Sequence, residues 1–107
     1  MAEPLAQDPL PLALDRDGVI RVGGTRVPLD TVVAAFESGS TPEQIAEDFS
    51  SLAVADVYAT ISYFLRHRDE VTAYLERRQR EAAAVRLEIE AHRPSQRLRE
   101  RLESRLR

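Results

Sequence analysis

The sequence contains no cysteine, so the chain forms neither a disulfide nor a thiolate metal site. Its two histidines, His67 and His92, are far apart and lack carboxylates at ligand spacing, which makes a metal site a poor interpretation. No glycine-rich stretch has the form of a phosphate-binding or dinucleotide-binding loop. We therefore expect no cofactor and no enzymatic activity.

Long apolar runs are also missing. No run approaches the roughly 20 residues that span a bilayer. The N-terminus has no basic region followed by an apolar stretch, as a secretory signal would have. The expectation is a cytoplasmic protein without a membrane partner.

Lysine is absent as well, and the charges are unevenly distributed. Residues 1–65 contain ten acids against three arginines, whereas residues 66–107 contain twelve arginines against eight acids. Segments of opposite net charge suggest different functions. Each arginine is a planar cation suited to carboxylates and phosphates.

Turn signals divide the first part of the chain into short extended pieces. The apolar stretch Leu12–Leu14 precedes a turn at residues 15–18, and the β-branched residues 19–22 can pair back across it. Gly23 and Gly24 predict a second turn, followed by a third extended piece over residues 25–27. The pattern favours a small β-hairpin or meander.

Helix signals follow. Apolar spacing predicts a helix over residues 29–38 that ends at Gly39. Thr41 and Gln44 have the spacing of a capping box, with proline at the first helical position between them. A longer helix is predicted from Val54 to about Arg66, with one apolar stripe: Val54, Val57, Ile61, Phe64 and Leu65.

The C-terminal part is predicted to be helical and poor in apolar residues. A helix from about Asp69 to Ala91 has near-heptad apolar spacing that Arg78 interrupts. A last helix after Pro94 has leucines at four-residue intervals, a stripe too narrow for a globular core: Leu98, Leu102 and Leu106. The prediction is a mainly α fold with a flexible N-terminus at 1–9, a head at 10–75 and an arginine-rich helical tail at 76–107.

A short capped helix, a brief turn and a longer helix have the spacing of a helix-turn-helix of the winged-helix or homeodomain-like kind. The stretch from Val19 to Pro28, V-I-R-V-G-G-T-R-V-P, resembles the opening of the bacterial domain-of-unknown-function family numbered 433. The resemblance continues through the stretch from Ser40 to Phe49 and that from Leu52 to Tyr63. Ala53 departs from it, because the family usually has a capping Thr or Ser before the longer helix, and Ser51 is the alternative cap.

The resemblance implies an antitoxin of a type II toxin–antitoxin pair, similar to VapB-type proteins, whose partner is a PIN-like nuclease toxin. It also implies operator binding, transcription regulation and a homodimer. The expected DNA-contacting residues are Arg21, Arg26, Thr41, Gln44 and Tyr58. The alternative is that the helix-turn-helix serves dimerisation, through Tyr58, Ile61 and Phe64.

The predicted tail supplies the expected toxin contacts. Its leucines would enter a groove on the partner, and its arginines would pair with the metal-binding carboxylates of a PIN-like site. The residues expected to bind the toxin are Arg93, Arg97, Leu98, Arg101, Leu102, Arg105 and Leu106. A solvated tail or a homodimeric coiled coil remains the alternative for this segment. For the whole chain, the alternatives are a stand-alone transcription regulator and an oligomerisation module that does not bind DNA.

Overall fold

The computed structural model describes residues 8–91, which contain two short strands and four helices. In chain order the elements are β1 Leu12–Leu14, β2 Ile20–Val22, α1 Leu29–Glu37, α2 Pro42–Asp48, α3 Val54–Arg66 and α4 Arg68–Ala91. The predicted mainly helical fold with an N-terminal hairpin is confirmed. The chain divides into two compact units, one ending at Val71 and one beginning at Thr72. Below, the first unit means residues 8–71 and the second unit means residues 72–91.

Strands β1 and β2 pair antiparallel, with Leu12 opposite Val22 and Leu14 opposite Ile20. The Asp15 carboxylate shapes the turn between them, because it accepts the backbone N–H groups of Asp17 and Val19 at 2.8 and 3.0 Å. Such local bonds from aspartate are a common way of closing a turn. The predicted hairpin is therefore confirmed.

The third extended piece, over residues 25–27, is not a strand, and this prediction was wrong. The Thr25 hydroxyl donates to the Val22 carbonyl at 2.7 Å and accepts the Val27 N–H at 3.1 Å. These bonds fold the segment into a turn and leave a single bridge, between Arg21 and Pro28. Threonine often competes with strand pairing in this way, because its hydroxyl can bond to nearby backbone groups.

The helix boundaries lie close to the predicted ones. Helix α1 is followed by Gly39 at φ +100°, a conformation that glycine adopts without the strain of a side chain. The capping box of Thr41 and Gln44 is present at the start of α2. Helix α3 ends at Arg66, and His67 separates it from α4 while stacking on Tyr63 with 4.3 Å between ring centroids.

The core of the first unit is formed where α1, α2, α3 and β2 pack together. Phe64 lies at its centre, 1% exposed, and meets the Phe36 ring edge-on at 6.3 Å. The fully buried Thr60 satisfies its hydroxyl by donating to the Asp56 carbonyl at 2.7 Å. The other buried apolar residues of this unit are Val19, Val22, Leu29, Val32, Val33, Ile45, Leu52, Val57, Ile61 and Val71.

The predicted apolar stripe of α3 is only partly buried. Val57, Ile61 and Phe64 face the core, whereas Val54 and Leu65 are 43% and 50% exposed. At about 100° per residue, Val54 and Leu65 lie to one side of the buried face, so the stripe extends beyond what the core covers. Throughout residues 8–91, no helix is long and apolar enough to cross a membrane.

Candidate partner-binding surfaces

Thr41 and Gln44, both predicted to contact DNA, hold the first turn of α2 together. The Gln44 N–H donates to the Thr41 hydroxyl at 3.2 Å, and the Thr41 N–H donates to the Gln44 side-chain oxygen at 2.8 Å. These bonds satisfy two backbone donors that a helix start otherwise leaves without partners. Both residues are exposed, but their capping atoms are engaged within the chain.

Arg21, another predicted DNA contact, is held by the hairpin. Its Nε donates to the Asp15 carboxylate at 3.0 Å, and its Nη1 donates to the Arg26 carbonyl at 2.7 Å. The pKa of Asp15 is lowered, first by the hydrogen bond from the Val19 backbone and further by Arg21. The guanidinium of Arg21 thus stabilises the β1–β2 turn, while the side chain of Arg26 is exposed beside it.

Tyr58 connects α3 to α2. Its hydroxyl donates to the carboxylate of Glu43, which lies fifteen residues earlier in the chain. This hydrogen bond raises the pKa of Tyr58 and lowers the pKa of Glu43, because it favours the neutral phenol and the ionised carboxylate. The ring of Tyr58 stays 49% exposed, so it is a fixed aromatic group on the surface.

Two of the three residues predicted to form a dimer contact are not available for one. Ile61 is 7% exposed and Phe64 is 1% exposed, and both pack inside the first unit. Their assignment to a dimer interface is therefore corrected: they are core residues of a single chain. Tyr58 alone of the three is at the surface, and a homodimer stays a prediction.

The helices of the first unit carry charge of one sign over a long stretch. Between Val27 and Leu65 the sequence has no lysine or arginine, and it has six acids: Asp30, Glu37, Glu43, Glu47, Asp48 and Asp56. Glu43, Glu47 and Asp48 are exposed on α2. Because nucleic-acid affinity depends mainly on cations that neutralise phosphates, this stretch lacks the principal attractive group.

The family comparison concerns this same part of the chain. Residues 16–64 match the model of a family described as a protein of unknown function, DUF433. The chain carries a DUF433 domain. No curated protein and no solved structure matches the chain. The matched segment begins in the β1–β2 turn and ends at Phe64 in α3, so the DUF433 domain comprises β2, the first two helices and nearly all of the third.

The sequence did not indicate one surface of the DUF433 domain. Val54 and Tyr58 are exposed on α3, with Leu65 just beyond the matched segment. Apolar spacing places Val54 and Leu65 in the same predicted stripe as Val57, Ile61 and Phe64. A helical wheel centred on Val57 and Phe64 would have placed them at its margin, which is the signal that was available.

Beyond the DUF433 domain, the second unit exposes apolar side chains. Val85, Leu87 and Ile89 of α4 are 54%, 66% and 48% exposed. Arg77 pairs with Glu81 at 3.8 Å and lies over the Tyr74 ring at 5.6 Å. The residues predicted to bind the toxin, from Arg93 to Leu106, lie outside the described residues.

The surface next to the DUF433 domain includes a depression at the end of α3. A surface depression of about 260 Å³ follows α3 and is lined by the consecutive residues from Leu65 to Glu70. One stretch of chain forms it, and it includes His67, whose Nδ1 lies 3.7 Å from the Glu70 carboxylate. Within residues 8–91, no group of three histidine or acidic side chains is placed to hold a metal ion.

Proposed function

We propose that this protein is the antitoxin of a type II toxin–antitoxin pair and neutralises a PIN-like ribonuclease by direct binding. The observation that carries the proposal is the exposure of Val85, Leu87 and Ile89 in the second unit. A large apolar side chain gains about 1.5–3 kcal/mol when it is fully buried. Val85 and Ile89, four residues apart, share one side of α4 and give a partner a surface to cover, while Leu87 is exposed on another side of the same helix.

The charges of the second unit support the same proposal. Arg80 and Arg86 are exposed on α4, among the apolar side chains. A PIN-like nuclease holds its metal ions with a cluster of carboxylates, and arginine pairs with carboxylates through two parallel hydrogen bonds. The antitoxin function that the sequence resemblance implies, together with this helix, makes a nuclease the partner that fits.

Operator binding is the second part of this proposal and has less support. Four of the expected contacts bond within the chain: Arg21, Thr41, Gln44 and Tyr58. The stretch from Val27 to Leu65 has no cation. Arg26 is the exposed cation among the expected contacts. A dimer would double the available cations, as helix-turn-helix proteins do when they bind two half-sites.

Co-expression with the nuclease encoded by the adjacent reading frame tests neutralisation. The full chain should restore growth and co-purify with the nuclease. Deleting residues 95–107, or replacing Val85, Leu87 and Ile89 together with serine, should abolish both effects, because the apolar contacts are lost. Replacing Leu98, Leu102 and Leu106 with serine should do nearly the same.

A matched control is the triple replacement of Ala82, Ala83 and Ala84 with serine. It lowers helix propensity on the same helix and removes no large apolar group. This variant should protect cells as the unaltered chain does. If the variant with serine at positions 85, 87 and 89 still protects cells and co-purifies with the nuclease, α4 is not the toxin-binding element. If the protein lacking residues 95–107 also does so, the binding element lies elsewhere in the chain.

A further inference from the structure

A second surface, on the first unit, combines exposed apolar groups with negative charge. Val54, Tyr58 and Leu65 are separated by four and seven residues, so they lie along one side of α3. They are 43%, 49% and 50% exposed. Such a row of large apolar side chains, left partly uncovered by the core of its own unit, is typical of an interaction surface.

The negative charge lies directly beside this row. The hydrogen bond from Tyr58 to Glu43 places the aromatic ring against the first turn of α2. Glu47 follows Glu43 by four residues and therefore shares its side of α2. The row and these two carboxylates form one surface, called here the α2–α3 surface.

We propose that the α2–α3 surface is a docking site for a cationic protein surface with an apolar centre, of the kind with which nucleases hold RNA. Charge complementarity selects this occupant. DNA is a polyanion, and the stretch from Val27 to Leu65, which includes the whole α2–α3 surface, has no cation to neutralise it. A second copy that met the same surface would bring two negatively charged surfaces together, and like charges oppose association.

The residue types of the α2–α3 surface also fit a cationic protein surface with an apolar centre. Interface centres are enriched in aromatic and large apolar side chains, and a fixed tyrosine contributes contact area without losing much conformational freedom. Surrounding carboxylates speed the approach of a cationic partner and orient it. The inference rests on the proposed function only for the name of the partner, the nuclease; the surface itself follows from the side chains of the first unit.

The first experiment uses a synthetic amphipathic peptide of about 18 residues, long enough to form a helix, containing only arginine, leucine and alanine. It is titrated into the ¹⁵N-labelled full chain, and amide chemical shifts are followed. We expect saturable binding that weakens with added salt. The largest shifts should fall on residues 43–48 and 54–65.

Two double variants measure the two components of the surface. Glu43→Gln with Glu47→Gln should weaken peptide binding about fivefold, since each exposed ion pair contributes up to about 1 kcal/mol. Val54→Ser with Leu65→Ser should weaken it about tenfold through lost apolar burial. The matched control, Glu88→Gln with Glu90→Gln, removes the same charge from the second unit and should change affinity less than about twofold.

Three results would overturn the inference. The control pair could weaken binding as much as the α2–α3 pairs do, which would show general attraction between opposite charges. A random-sequence DNA duplex could shift the same amides at physiological salt. The same amides could also shift when the free protein is concentrated, which would make a second copy the occupant.

The nuclease from the adjacent reading frame separates this inference from the proposed function. A complex that forms but is insensitive to both double variants overturns the inference and leaves the antitoxin function standing. If no complex forms while the peptide maps to the α2–α3 surface, the docking site stands and the antitoxin function fails.

Discussion

Replacing Ala53 with serine should stabilise the first unit by supplying a helix cap that α3 lacks. Ala53 is the N-cap residue of α3, with φ −74° and ψ 139°, and no side chain caps this end. Thr41, the capped N-terminus of α2, has φ −77° and ψ 160°. Because the two backbones are so similar, a serine hydroxyl at position 53 can accept the N–H of Asp56 without backbone rearrangement.

The expected gain is about 1 kcal/mol, within the range of about 0.5–2 kcal/mol known for such caps. For a unit of this size, that corresponds to a rise of about 4–8 °C in the unfolding temperature. Urea unfolding followed by circular dichroism should give a higher midpoint with an unchanged slope. Ala53 is exposed, so the added hydroxyl meets no steric obstacle.

Two further variants complete the test. Thr41→Ala should lower the free energy of unfolding by about 1 kcal/mol, since it removes the equivalent bond from α2. Ser51→Ala should change it by less than about 0.5 kcal/mol, because no side chain, Ser51 included, caps α3. A neutral Ala53→Ser alongside a destabilising Thr41→Ala would refute the argument that backbone geometry alone makes position 53 ready for a cap.

Stability should fall at both extremes of pH. The pKa values of Asp15 and Glu43 are lowered on folding, so these carboxylates add to the free energy of unfolding above pH 3.8 and 4.5. That stability is lost as the pH falls through the lowered pKa values. The pKa of Tyr58 is raised, so the phenol adds stability below pH 10.0, and this is lost as the pH rises through the raised pKa. Urea unfolding midpoints measured from acid to alkaline pH should show both losses of stability. Tyr58→Phe should reduce the loss at alkaline pH. If that loss is the same in Tyr58→Phe, the hydrogen bond from Tyr58 to Glu43 does not cause it. Phe64→Ala should cost about 3–5 kcal/mol through the cavity it leaves, whereas the half-exposed neighbour Leu65→Ala should cost much less, as urea unfolding will show. Equal losses of unfolding free energy in Phe64→Ala and Leu65→Ala would contradict the assignment of Phe64 to the centre of the core.

Most of the local structure was predictable because its causes lie close together in the sequence. The capping box needs only Thr41 and Gln44, three residues apart, and the turn at Asp15 needs only the next few backbone groups. Gly39 ends α1 through its own backbone freedom. The prediction failed at residues 25–27, where an extended β-branched pattern and a threonine turn compete and the threonine bonds prevailed.

The sequence by itself determined the order and approximate ends of the hairpin strands and the four helices in residues 8–91, because periodicity, caps and turns act over a few residues. Only the tertiary structure decided which side chains remain available for a partner. Phe64 and Val54 belong to the same predicted apolar stripe, but how far α1 and α2 cover that stripe decides that Phe64 is buried and Val54 is exposed. Tyr58 and Glu43 meet across fifteen residues because two helices pack together. A contact between residues so far apart in the chain depends on how whole helices pack, and no local pattern in a single sequence encodes it.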